Sequence, residues 1–104
     1  MIKSRFVYQN EKLNQIIVQG HANYKKHGED IVCAAVSAAT LVTANAIEHL
    51  ELNQKIDLTV EEGYFKLTLV VFDSIIQGLM ENLEYTLNDL EKQYPKYIKN
   101  QKEG

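Results

Sequence analysis

Cys33 is the only cysteine among 104 residues, and it stands third in the run Ile31-Val32-Cys33-Ala34-Ala35-Val36, which opens a candidate helix. At a helix start the unpaired backbone N–H groups and the positive end of the dipole favour an anion, and the thiolate is the nucleophilic form of cysteine. His21 precedes Cys33 by twelve residues, at the end of a candidate strand. A loop anchored at Gly20 and flexed at Gly28 could fold it back against the helix start, to act as base toward the thiol and then as acid toward a leaving amine. The same backbone N–H groups could hold an oxyanion. Ser37, one turn beyond Cys33, shares its helix face, and Asp30 suits the N-cap.

Each of these residues also has a plainer reading. Free cysteine serves as a small apolar filler in alanine-rich helices, so Cys33 is either inert packing or a reactive thiol. His21 could be an ordinary loop residue, and His27, between lysine and glycine, reads as solvated. His49 complements the dipole at the far end of the helix, which is a sufficient structural reason for it. Lys25 and Lys26 read as a solvated loop tip or as contacts for an acidic partner. One cysteine with three scattered histidines lacks the compact spacing of a structural zinc site, so no metal and no cofactor are expected.

The elements that must position these residues follow from periodicity. Ile2 to Tyr8 alternates, with Ile2, Ser4, Phe6 and Tyr8 on one side, and Leu13 to Gln19 carries the β-branched run Ile16-Ile17-Val18; together they predict a hairpin. From His21 to Asp30 no apolar period is sustained, which predicts a loop. Residues 31–50 are alanine-rich and uncharged between Asp30 and Glu48, predicting a central helix apolar nearly all round and buried on more than one side. A membrane span is the competing reading, but the segment is short for one and is diluted by Ser37, Thr40, Thr43 and Asn45. Ile56, Leu58 and Val60, then Phe65, Leu67 and Leu69 beyond Glu62-Gly63, predict a second hairpin. Ile76, Leu79, Met80, Leu83, Leu87 and Leu90 form the stripe of an amphipathic helix that Asp73 or Ser74 can cap, and residues 95–104 read as a loose tail. The expected fold class is α+β, in the order hairpin, helix, hairpin, helix (ββαββα), with an antiparallel sheet packed on both helices in one domain over residues 1–104.

Composition narrows the functional classes. Eleven Lys and Arg against 14 Asp and Glu give a net charge of -3, which offers no basic excess for direct nucleic-acid binding. A chain of this length has no room for a cofactor domain beside a substrate domain. A lone cysteine excludes an internal disulfide, and no charged-then-apolar leader is seen, so a reducing cytoplasm and no membrane association are expected. The apolar central helix, if it is not covered by the second helix, suits a dimer.

Gly20-His21-Ala22 followed by Gly28-Glu29-Asp30-Ile31-Val32-Cys33-Ala34-Ala35-Val36-Ser37 resembles the signature of the ribosomal-processing cysteine protease family, Prp. The resemblance covers about eighteen consecutive positions, and the hairpin-helix-hairpin-helix order resembles that family over the whole chain. It implies an endopeptidase that removes the N-terminal extension of a bacterial large-subunit ribosomal protein, number twenty-seven in the usual series. It further implies Cys33 as nucleophile, His21 as its base, supporting positions at Asp30, Ser37, Gly20 and Gly28, and a homodimer. Asp30 is then either a triad member or only a helix cap. A non-catalytic ribosome-assembly module that holds the same peptide is the alternative. A thiol redox sensor ranks last, because the chain has no resolving cysteine.

Overall fold

The computed structural model of the chain describes residues 1–26 and 30–104. Strands β1 (Ile2–Gln9) and β2 (Lys12–Gln19) form the first hairpin, and helix α1 spans Ile31–His49. A short 3-10 turn, Asn53–Lys55, leads into the second hairpin, β3 (Ile56–Glu61) and β4 (Tyr64–Leu69). Helix α2 (Ser74–Gln93) and strand β5 (Ile98–Glu103) complete the fold. The expected α+β order is present, with one addition at its end.

That addition corrects the reading of residues 95–104 as a loose tail. Ile98–Glu103 lies along β1 in parallel, from Ile2↔Ile98 to Val7↔Glu103, so the sheet is mixed and runs β3-β4-β2-β1-β5. The tail is held because Ile98 is buried in the core and Asn100 donates through Nδ2 to Leu87 O and Asn88 Oδ1. Glu103 also pairs with Arg5 across the strands.

One face of the sheet carries the core. Ile2 and Phe6, Leu13, Ile16 and Val18, and Phe65, Leu67 and Leu69 are buried there with Ile76, Met80, Leu83 and Leu87 of α2. Lys3, Arg5 and Gln19 on the other face are exposed. Gln77 fastens α2 to the sheet: Leu13 N–H donates to its Oε1 at 2.8 Å and its Nε2 donates back to Leu13 O at 2.9 Å. Leu13 needs that partner because the ladder between β2 and β4 runs only from Gln15↔Thr68 to Gln19↔Tyr64. A buried backbone donor and acceptor without a mate would be costly.

Helix α1 begins at Asp30, which caps it as expected, and packs one face inward through Val32, Val36, Thr43, Ala44 and Ile47. It is long and apolar enough to cross a membrane by composition, but here that apolar face joins the core with the sheet and α2. The buried hydroxyls of Thr40 and Thr43 are satisfied along the helix by Ser37 O and Ala39 O. Burial on more than one side is not found: Leu41 and Val42 are 56% and 67% exposed. Part of the side of α1 that faces away from the core borders a cleft.

Candidate active site

The residues that follow β2 are fixed by backbone contacts at close range. Gly20 has φ +101°, and a Cβ there would stand 2.4 Å from the Met1 carbonyl oxygen, so only glycine fits. Its N–H donates to Gly63 O at 2.9 Å, joining the end of β2 to the turn between β3 and β4. The Met1 ammonium donates to the His21 carbonyl oxygen. The next residue, Ala22, is buried, and its N–H donates to Cys33 Sγ at 3.2 Å. The exposed His21 is therefore held at its backbone on either side while its ring is free of the core.

Asp30 closes the other end of the loop. Its Oδ1 accepts from the N–H groups of Val32 and Cys33, each at 3.0 Å, and its Oδ2 accepts from Tyr24 N–H at 3.0 Å. Burial alone would raise the Asp30 carboxyl, but those N–H donors and the Cys33 thiol hold it below the ordinary carboxylate value. Asp30 thus caps the helix and clasps Tyr24, and no hydrogen bond joins its carboxylate to His21. The Tyr24 ring is gripped in turn, edge-on to Tyr94 and Tyr97 with centroids 6.2 and 5.0 Å away.

Cys33 is half-buried at the capped helix start and lines a cleft of about 680 Å³. Cys33, Ser37, Leu41 and Ala44 form one wall at steps of four, four and three along α1. Val60, Tyr64 and Phe65 belong to the opposing hairpin, while Ile2 and Val18 come from the sheet between. His21 lines the same cleft, with its imidazole against Gly63. No hydrogen bond joins His21 to Cys33. The exposed Ser37 contributes its carbonyl to Thr40 Oγ1. Gly28, and with it His27, lies outside the described residues.

The arrangement suits a sulfur nucleophile. A thiolate at Sγ would receive the Ala22 N–H and the field of the α1 N-terminus, beside an imidazole in a partly apolar cleft. Among the described residues no group of three or more His, Cys, Asp or Glu side chains is placed to hold a metal ion. Sequence reasoning missed the Ala22 N–H, the Tyr24 clamp and the approach of Gly63. Gly63 was legible as a turn residue, but the strand pairing that carries it to His21 was not.

Comparison with known proteins decides the family. The model of the cysteine protease Prp family matches residues 1–99. The chain belongs to this family. The ribosomal processing cysteine protease Prp of Staphylococcus aureus (strain Mu50 / ATCC 700699) is 29% identical over 91 residues, covering 85% of each chain. A crystal structure of the S. aureus Prp protease in complex with a covalently linked product peptide superposes with a TM-score of 0.92 at 27% identity, covering 99% of this chain and 100% of that one. A second structure of the S. aureus protease, with a substrate peptide, gives 0.85 at 26% identity, covering 99% and 100%. The Prp fold is thus present from end to end, including the strand β5 that the sequence did not announce.

Proposed function

We propose that this Prp-family chain is a cysteine endopeptidase that removes the N-terminal extension of a bacterial large-subunit ribosomal protein, number twenty-seven, with Cys33 as nucleophile and His21 as general base. The observation that carries the proposal is the capped helix start that places Cys33 in the wall of the cleft that His21 also lines. The structures of the S. aureus relative with a covalently linked product peptide and with a substrate peptide support a peptide substrate for this fold. His21 takes the thiol proton as sulfur attacks the scissile carbonyl, and returns it to the departing amine. Water then attacks the resulting thioester, releasing the new carboxyl end and regenerating the thiol. Substrate binding brings the imidazole and sulfur within reach, since catalytic hydrogen bonds often tighten only in the complex.

The apolar walls of the cleft suit an extended peptide with apolar side chains, entering without a cofactor. On this reading the enzyme works in the cytoplasm as a homodimer, for which the exposed Leu41 and Val42 of α1 offer apolar surface to cover. Sedimentation velocity of the purified chain checks the dimer. The activity is tested by incubating a peptide that spans the extension and its junction with wild type and Cys33→Ala in parallel, and weighing the products. Wild type should give two fragments and Cys33→Ala none, with the fold intact. His21→Ala should slow cutting by ~10²-fold or more, the usual loss for a general base. Peptide left whole by wild type would point instead to a module that holds the peptide without cutting it.

A further inference from the structure

The turn of the second hairpin lies far from the cysteine-histidine signature in sequence, yet it meets the histidine directly. A Cβ built on Gly63 would stand 2.8 Å from His21 Nε2, 3.1 Å from Cε1 and 3.6 Å from Cδ2. A Cβ contact of 2.8 Å is shorter than real ones and 3.1 Å is tight, so the Nε2–Cε1 edge of the imidazole occupies space that a side chain at position 63 would need. The ring rests on the bare Cα face of the turn. The same residue's carbonyl oxygen accepts the Gly20 N–H at 2.9 Å, which fixes the turn to the residue immediately before His21. The backbone beside the base is therefore tied to the platform, and the platform is itself part of the cleft lining.

We propose that Gly63 is a positioning residue for the general base: its lack of a side chain sets where the His21 imidazole sits relative to Cys33. The inference rests on the proteolytic reading above and adds a residue to it. A methyl group at position 63 would drive the ring off the turn by several tenths of an ångström or more. Misplacement of a catalytic group by about 1 Å can cost about 10²-fold in rate.

Gly63 also has φ +69°, so an alanine there is strained for a reason unrelated to His21. Asparagine separates the two effects, because it tolerates positive φ but carries the same Cβ. Gly63→Ala and Gly63→Asn should each lower kcat for the peptide by about tenfold to 10²-fold with KM little changed. In a His21→Ala background neither substitution should slow the residual cutting further. In NMR spectra both should shift the His21 Cε1–H resonance and leave that of His49 in place.

Three results would each overturn the proposal. One is wild-type kcat in Gly63→Asn, which would assign the alanine effect to turn strain. Another is a rise confined to KM, which would make Gly63 part of the substrate wall only. The third is an undiminished effect of Gly63→Ala in the absence of His21. If wild type itself fails to cut the peptide, the proteolytic reading falls, while the His21 resonance still decides whether Gly63 sets the ring.

Discussion

At Asp30 two roles compete, and they predict different chemistry for a one-atom change. Its carboxylate takes the N–H groups of Val32, Cys33 and Tyr24, which is the cap and clasp role; a triad acid would act on His21 as well. Asparagine is about as good an N-cap as aspartate, whereas alanine costs about 1 kcal/mol at such a site. Asp30→Asn keeps the cap through its one oxygen but loses the acceptor for Tyr24 N–H, so cleavage should fall by no more than about tenfold, and Asp30→Ala should lower both melting temperature and rate. A loss of ~10⁴-fold in Asp30→Asn kinetics, the scale seen when a triad acid is replaced, would show instead that the carboxylate acts on His21. Gly20 allows a harsher test of the same strand-to-loop junction. Gly20→Ala forces a methyl group toward the Met1 carbonyl at a φ closed to alanine, and should cost about 1–3 kcal/mol in chemical denaturation. Cys33, His21 and the cap at Asp30 were legible because they sit within one local strand-loop-helix stretch, where spacing along the chain is nearly spacing in space.

The helices show how much of an element is written in its own residues. The α1 start at Asp30, the α2 start at Asp73 and the turn at Glu62-Gly63 follow from capping and turn chemistry, and each is found where local rules place it. Their electrostatics yield a pH prediction. Lys55 and the N–H groups of Ile76 and Ile75 hold the Asp73 carboxyl below the ordinary carboxylate value of 3.8, as the loop donors do for Asp30. A carboxyl lowered in the folded state stabilises the fold above its unfolded value, and that contribution is lost as pH falls through the folded one. Melting temperature should thus drop as pH falls below about 4, and Asp73→Asn should flatten part of that drop in calorimetric scans. Gln77 was hidden, since a glutamine on an amphipathic helix reads as surface; its burial follows from where the ladder between β2 and β4 ends. Gln77→Leu would strand a buried N–H and a buried C=O at Leu13, which should cost about 2–4 kcal/mol. That corresponds to a melting temperature lower by roughly 10 °C or more.

For the molecule as a whole, the unread element is the one whose partner lies at the opposite end of the chain. Ile98-Lys99-Asn100-Gln101-Lys102-Glu103 has one strongly apolar residue, so no periodicity marks it as a strand, and its ladder with β1 joins residues about a hundred positions apart. Polar composition is also what an edge strand needs, because lysines at an open edge discourage pairing with other chains. The same end of the chain reaches the segment that follows β2: Tyr94 and Tyr97, on either side of Pro95, pack on the Tyr24 ring, and Tyr24 N–H is bound by Asp30. Removing residues 95–104 should accordingly do two things. Loss of the buried Ile98 and of the β5 ladder should lower the melting temperature by roughly 10 °C or more, given the ~2 kcal/mol of one buried isoleucine and the lost hydrogen bonds. Loss of Tyr97 should separately loosen the loop, so Tyr97→Ala in the full chain should reduce peptide cleavage several-fold at a temperature where the fold is intact, whereas Lys99→Ala, exposed on the same segment, should not. If the truncated chain melted and cut like the full one, β5 would add nothing to the fold and the link from the C-terminal strand to the candidate site would be severed.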